Sequence, residues 1–249
     1  MRWNEAAHRF SALLLAAAGL SCGGGDGGPE PAPTPIPTTV TTAGSGQTGF
    51  VGETLPLPIS VSVFDQDGDP IAGVPVAFAV TTGGGGIADP TTTTTSSGVA
   101  ATTWTLGTAV GLANNVVVAT VTGYAGAAPT FTANGAPGHP ATIGIVSGDF
   151  QTGTAGTVLS APLVVEVRDA YSHPVPGATV QWSPTAGGGS VSAITTVTAA
   201  DGRGGVTRTL GPVIGDQLTT AAVALPDSLA TVTFYSTALT APGPAPRPR

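Results

Sequence analysis

Lysine is absent from this 249-residue sequence, and only 8% of its residues carry a charge. The positive residues are seven arginines that never cluster, and the formal net charge is −7. A protein that binds nucleic acid needs a basic stripe that displaces counterions from the phosphates. The composition therefore argues against a nucleic-acid partner, and for the same reason against attraction to anionic lipid headgroups.

Long apolar runs are also missing. A membrane-spanning helix needs about 20 apolar residues, and no run in this sequence is that long. The longest such run, residues 11–20, has ten residues and follows Arg2 and Arg9. A short apolar core behind a positive start is typical of a secretory signal peptide, which we predict over residues 1–22.

Cysteine occurs once, at Cys22, so an intramolecular disulfide is impossible. A lone cysteine directly after an apolar core resembles the lipobox of bacterial lipoproteins, although Gly19 stands where that family usually has leucine. The resemblance implies cleavage before Cys22, lipidation of its thiol and a membrane anchor. Gly23 in the next position implies sorting to an outer membrane. An ordinary secretory signal with an incidental cysteine remains the alternative.

Glycine and proline together make up nearly a quarter of the chain and are concentrated just after residue 22 and at the C-terminal end. Residues 23–37 (GGGDGGPEPAPTPIP) cannot bury a core and are predicted to form a disordered tether, flexible in its glycine part and extended in its proline part. Residues 239–249 are predicted to be a similar proline-rich tail. The folded part therefore lies between these two segments.

The middle of the chain is a repeat that appears when the sequence is shifted by about 104 residues. The matching positions include Gln47-Thr48-Gly49 with Gln151-Thr152-Gly153, Asp65 with Asp169, Val76 with Val180, Phe78 with Trp182, and Leu106-Gly107 with Leu210-Gly211. This period has the length of a whole small domain. We therefore predict two tandem domains, at 38–136 and 140–238.

Within each copy, apolar residues alternate with polar ones, as in a strand with one buried face. The predicted inward set runs from Leu55 through Leu57 to Val63 in the first copy, and from Leu159 through Ala161 to Val167 in the second. Short strands of this kind between Gly/Pro turns predict all-β sandwiches. One position breaks the symmetry, because the inward Trp104 corresponds to Arg208; we expect it near a sandwich edge, with the arginine reaching solvent.

The repeated positions also resemble a known family. The pattern from Asp65 to Phe78, with the glycine pair that follows it and the later Leu106-Gly107, is similar to the bacterial Ig-like (Big-1-type) domain of the intimin and invasin surface proteins. The second copy carries the same pattern from Asp169 onwards. The resemblance implies two immunoglobulin-like sandwiches that serve as rigid spacers or adhesion modules.

Few residues indicate chemistry. Asp65, Asp67 and Asp69 alternate like the first half of a calcium loop, but no glutamate follows at the required distance, so a polar hairpin turn is favoured and no metal site is predicted. His139 and His173 lie on loops far apart in sequence, which gives no convergent catalytic or zinc set. Three tyrosines (Tyr124, Tyr171, Tyr235) could line a sugar platform, but they do not repeat between the two copies, so scattered surface residues are the favoured interpretation. We predict no cofactor and no enzymatic activity.

These observations together predict an exported and lipid-anchored protein at the cell surface or envelope, with secretion as the alternative if Cys22 is not modified. The Ig-like modules would act in adhesion, as spacers or in protein interaction, with an unidentified surface ligand or envelope protein as partner. Binding of a carbohydrate or peptide ligand is the alternative function.

Overall fold

The computed structural model describes residues 35–241 and residue 243. The predicted signal peptide, Cys22, most of the 23–37 linker and most of the 239–249 tail lie outside these residues. Within the described part, no helix is long and apolar enough to cross a membrane. The secondary structure described there consists of β-strands, turns and bends, so the all-β prediction is confirmed.

The first ten strands form what we call module 1. They are β1 (Thr39–Ala43), β2 (Gln47–Phe50), β3 (Ile59–Phe64), β4 (Pro75–Thr82), β5 (Gly85–Ile87), β6 (Thr91–Thr93), β7 (Val99–Thr102), β8 (Trp104–Leu106), β9 (Gly111–Val121) and β10 (Thr130–Ala136). A five-stranded sheet has the order β2-β10-β9-β4-β6, and a three-stranded sheet has the order β1-β3-β7. Strands β5 and β8 form a separate pair.

The next ten strands form module 2 and repeat this arrangement. They are β11 (Thr142–Ser147), β12 (Gln151–Thr154), β13 (Leu163–Arg168), β14 (Thr179–Ala186), β15 (Gly189–Val191), β16 (Thr195–Val197), β17 (Arg203–Val206), β18 (Arg208–Leu210), β19 (Gly215–Ala224) and β20 (Leu229–Leu239). The sheet orders are β12-β20-β19-β14-β16 and β11-β13-β17, with β15 paired to β18. Each module is therefore an immunoglobulin-like sandwich, as the sequence predicted.

Each sandwich has its own apolar core between its two larger sheets. In module 1, Val61 on β3 and Val76, Phe78 and Phe131 on the five-stranded sheet belong to one buried cluster. The tilted rings of Phe78 and Phe131 lie 6.1 Å apart. Module 2 repeats the pair with Trp182 and Phe234 at 5.8 Å. Burial of these side chains, at about 25 cal/mol per Å² of apolar surface, is the main source of stability in such a fold.

The predicted alternation fails at one place in each copy. Leu57 is exposed, and so is its counterpart Ala161, because β3 and β13 begin only two residues later. The amide side chain of Gln47 donates to Leu57 O at 2.9 Å and accepts from Leu57 N at 2.9 Å. Gln151 holds Ala161 in the same way. A glutamine side chain thus replaces the strand pairing that the sequence pattern predicted here.

The expectation that Arg208 reaches solvent is wrong. Its side chain is fully buried, as is Trp104 at the equivalent position of module 1. The guanidinium donates to Thr209 O at 2.7 Å, to Ser190 O and Gln217 Oε1 at 3.3 Å, and also to Gly188 O. Carbonyl oxygens in and beside the β15–β18 pair and one glutamine therefore replace water at the two terminal nitrogens, while Nε has no partner among the described residues. Burial lowers the pKa of the guanidinium below its ordinary value.

Candidate functional site

The two modules are joined by residues 137–141, a segment too short to act as a free linker. Gly138 N donates to the Asp169 carboxylate (Oδ2) at 2.8 Å. Ala141 N donates to Arg168 O at 2.8 Å. Both backbone amides are therefore used by module 2 within a few residues of the end of β10. These two hydrogen bonds to module 2 restrict the conformation of the segment.

Asp169 organises the module 2 side of this junction. Its Oδ1 accepts from Tyr171 N at 2.9 Å and from His173 N at 2.8 Å, while the ring nitrogen Nδ1 of His173 lies 3.1 Å from Oδ2. Burial alone would raise the pKa of this carboxyl. The hydrogen bonds from the backbone of Gly138, His173 and Tyr171 and from the His173 ring outweigh that effect, so the pKa lies below its ordinary value. Asp169 is held as a carboxylate that is already filled with donors.

Contacts also run from the module 1 side to the linker and to Tyr171. The hydroxyl of Tyr171 lies against Gly52, where a Cβ atom would overlap it, and Gly52 has a φ of +79°. The His139 ring packs against Phe50 with centroids 4.7 Å apart, and its Nε2 lies 3.5 Å from Glu53 Oε1. Glycine at position 52 thus serves two needs, a left-handed backbone conformation and space for the tyrosine.

These groups surround an open cleft of about 440 Å³ between the modules. Its wall includes Glu53 from module 1, His139 from the linker, and Tyr171, Pro226 and Asp227 from module 2. The wall of the cleft is mostly apolar, and a histidine and two carboxylates lie among the apolar groups.

The domain bounds predicted from the sequence leave a short linker here, but the contacts that hold it were not predicted. The two loop histidines were interpreted as far apart, yet the Gly138–Asp169 and His173–Asp169 contacts bring their loops into one cluster. The one available signal was that Asp169 is repeated from Asp65, while the residues after it are not. Of the predicted tyrosines, Tyr171 lies at the junction, Tyr124 packs against the module 1 core, and Tyr235 lies on β20.

The Asp65–Asp69 segment is the turn between β3 and β4. Asp65 Oδ1 accepts from Asp67 N at 3.0 Å and from Asp69 N at 2.9 Å. One carboxylate oxygen is thus committed to shaping the turn, as in an Asx-turn. Among the described residues, no group of three or more His, Cys, Asp or Glu side chains is arranged to hold a metal ion.

The fold and the junction define a class: an all-β protein of two immunoglobulin-like sandwiches joined by a short linker whose amides bond to module 2. No protein-family model matches the chain, and no curated protein matches it either.

Several solved structures are similar to this chain. The D0-D1 domain of intimin is 21% identical, with a TM-score of 0.33, and the match covers 81% of this chain and 98% of that one. InvD of Yersinia pseudotuberculosis is 18% identical, with a TM-score of 0.45 and coverages of 85% and 60%. Invasin, described as a bacterial integrin-binding protein, is 24% identical, with a TM-score of 0.36 and coverages of 79% and 38%.

This chain therefore spans less than two thirds of InvD and of invasin. Identities this low are a likeness of fold alone; the two sandwiches that the resemblance implied are seen in the sheet orders of the structure itself.

Proposed function

We propose that this chain is an exported cell-envelope protein whose two Ig-like modules form a spacer with a fixed joint and present a protein-interaction surface. The observation that carries the proposal is the junction, where the linker amide of Gly138 bonds to the buried Asp169 and Tyr171 packs on Gly52. Domains joined by an unconstrained linker move relative to each other by default. A joint with these contacts suits a spacer, because a spacer has to hold its two ends at a fixed distance from each other.

The proposal includes no catalytic role. The best-placed carboxylate of the junction, Asp169, accepts three backbone N–H groups and is 3% exposed. A general base or nucleophile needs a free lone pair that faces a substrate. The same carboxylate is well suited to fixing a turn and a linker, because each charge-assisted hydrogen bond orders one backbone segment.

Export and anchoring form the finer part of the proposal, and they rest on residues 1–37. The signal-like segment and Cys22 would place a lipid anchor at the membrane, with residues 23–37 as the tether. Each buried acyl CH₂ contributes about 0.8 kcal/mol to membrane binding, and stable anchoring takes more than one chain. The sequence resemblance to intimin and invasin modules supports a role in adhesion at such a surface.

The joint can be tested by measuring the distance between the modules. The chain from Gly23 onwards has no cysteine, so spin labels can be placed at Ser97→Cys and Asp201→Cys, exposed turn positions that correspond in the two modules. We expect a narrow distance distribution by electron–electron double resonance. Tyr171→Ala should broaden it by removing the contact with Gly52. Tyr235→Thr, on β20 and outside the junction, is the matched control.

The result that contradicts a fixed joint is a broad distribution in the unaltered chain that Tyr171→Ala leaves unchanged. Both distributions would then describe modules that move freely.

The anchor has its own experiment. Bacterial cells that express the full chain are grown with radiolabelled palmitate, and we expect label on the protein and its loss in Cys22→Ser. A wild-type chain that carries no label would remove the anchor from the proposal. The joint would be unaffected by that result.

A further inference from the structure

Module 2 carries an exposed aromatic pair that module 1 lacks. Phe150, in the turn before β12, is 77% exposed, and Tyr235 on β20 is 48% exposed. Their rings lie nearly parallel, with 7° between the planes and 5.7 Å between the centroids. A phenylalanine this exposed places apolar surface in water without any contribution to the core. The stacked rings thus form an exposed aromatic face that module 1 lacks at the equivalent positions.

The backbone around Phe150 strengthens this conclusion. Phe150 has a φ of +54°, a left-handed conformation that bulky residues rarely adopt. The equivalent residue of module 1 is Gly46, with a φ of +77°, and the equivalent of Tyr235 is Thr132. The turn itself is the same in both modules, since Gly46 N donates to Thr132 O and Phe150 N donates to Tyr235 O. The turn needs a glycine-like residue, and module 2 carries a phenylalanine there in spite of the strain.

The pair is also held in position from below. Asp149 Oδ1 accepts from Tyr235 N at 2.7 Å and from Phe150 N at 3.0 Å. The module 1 counterpart, Ser45, makes the first of these contacts with its hydroxyl, at 3.0 Å from Thr132 N. The carboxylate thus fixes the backbones of both aromatic residues at one point. The arrangement has the preorganisation of a binding surface.

Beside the rings lies a shallow depression of about 250 Å³ with walls that are polar and apolar in equal parts, lined by Phe150, Asp216, Tyr235, Ser236 and Thr237. Its volume is below the range of about 300–1,000 Å³ that encloses drug-sized ligands, so it suits one small ring. The Asp216 carboxylate and the Thr237 hydroxyl, 3.4 Å apart, border it and can accept and donate hydrogen bonds. A flat ring face next to such groups matches a ligand with one C–H face and a rim of hydroxyls.

We propose that the Phe150–Tyr235 pair of module 2 is a binding site for neutral oligosaccharides with β-linked gluco-configured pyranose rings. In such rings all large substituents are equatorial, so the axial C–H bonds form flat faces that can lie on the electron-rich face of an aromatic ring. The hydroxyls around the ring would bond to Asp216 and Thr237. The carboxylate and the net charge of −7 disfavour anionic sugars.

This site goes beyond the spacer role and does not depend on it, because binding can be measured on the soluble chain. The experiment uses the chain from Gly23 onwards, labelled with ¹⁵N and titrated with chitotetraose and with cellotetraose by NMR. We expect shifts of the amide signals of Phe150, Tyr235 and Thr237, and weak binding with a dissociation constant of about 1 mM, as befits a shallow site. Signals of module 1 should not move.

The decisive variant gives module 2 the residues that module 1 already has, Phe150→Gly with Tyr235→Thr. It keeps the turn, so the spectrum should remain that of a folded protein while affinity for the sugar falls at least tenfold. A second variant, Asp216→Asn, retains the rings and should weaken binding by a smaller factor.

The proposal is overturned if neither sugar shifts the signals of the wild-type chain, or if the double variant binds as well as the wild type. It is also overturned if the site ignores the sugars and binds a proline-rich peptide, the other ligand that stacks on exposed aromatic rings.

Discussion

Modules 1 and 2 build the same strand arrangement around different residues at one core position. In module 1 this position holds Trp104, fully buried, with no hydrogen-bond partner for its indole N–H. In module 2 it holds Arg208, equally buried, with carbonyl oxygens around its guanidinium. The comparison teaches that this fold accepts either an apolar or a cationic side chain there, provided that the neighbours change with it.

The neighbouring position does change. Asn115 of module 1 corresponds to Gln217 of module 2, and both side chains are fully buried. The longer Gln217 accepts from Gly211 N at 2.8 Å and donates to Gly211 O at 3.1 Å, while its Oε1 also accepts from Arg208. Asn115 donates to Ala109 O, and its own side-chain oxygen has no partner among the described residues. Arginine and glutamine therefore form one unit, which tryptophan and asparagine replace in module 1.

The largest expected effect comes from breaking this unit. Arg208→Ala should lower the free energy of unfolding of module 2 by about 4 kcal/mol, because it leaves a cavity and several buried carbonyl oxygens without donors. Scanning calorimetry should show the transition of module 2 shifting to lower temperature. The transition of module 1 serves as the internal control and should not move.

Exchange between the modules sharpens the same comparison. Arg208→Trp alone should be destabilising by about 3 kcal/mol, since Gln217 stays and loses its charged partner. Adding Gln217→Asn should recover at least about 1 kcal/mol, as expected for residues in one network. Additive effects in this double-mutant cycle would show that the two positions are independent.

Much of the fold could be predicted from the sequence because it depends on local patterns. Alternation over Ile59–Phe64 and its repeat over Leu163–Arg168 require only that one face of a strand is buried. The prediction fails at Leu57, where the apolar pattern continues but Gln47 takes the backbone groups from ten residues away. It fails at Arg208 for the same reason, since three of the four acceptors around the guanidinium come from other segments and make burial possible.

The contacts at the junction could not be predicted, for a related reason. Asp169 and Asp65 occupy the same place in the repeat, and both shape a turn through Oδ1. Only the folded structure shows that the second carboxylate oxygen of Asp169 accepts a hydrogen bond from the Gly138 N–H of the linker. A single chain can show that a residue is repeated, but a contact over 31 positions is a property of the packed modules.

Substitution of these two aspartates by asparagine should have different effects on stability. Asp169→Asn should destabilise module 2 by about 2 kcal/mol, because its amide NH₂ would face the Gly138 N–H or leave another donor unpaired. Asp65→Asn should cost only about 0.5 kcal/mol, since the described hydrogen bonds of Asp65 use Oδ1 alone and asparagine keeps that acceptor. Urea denaturation of both variants measures the difference, and equal costs would contradict the role given to Gly138.

The pH dependence of stability tests whether the charge of Asp169 matters. The pKa of the Asp169 carboxyl is lower in the folded state than its ordinary 3.8. Its contribution is therefore fully present above about pH 4, the pKa range of an unfolded aspartate, and is lost as the pH falls through the folded value. The stability gap between wild type and Asp169→Asn should shrink below about pH 4. A gap that stays constant from pH 6 to pH 2 would show that charge does not matter here.

The smallest expected effect distinguishes the two modules at their first turn. Phe150→Gly removes a left-handed phenylalanine, which relieves about 1 kcal/mol of strain, but glycine adds a similar entropy cost in the unfolded chain. Stability should therefore change by less than about 1 kcal/mol. The mirror substitution Gly46→Phe has open space for its side chain yet acquires the strain, so it should destabilise module 1 by about 1 kcal/mol. If Phe150→Gly instead cost several kcal/mol, the phenylalanine would be a structural residue of module 2, and its exposure would no longer indicate a ligand.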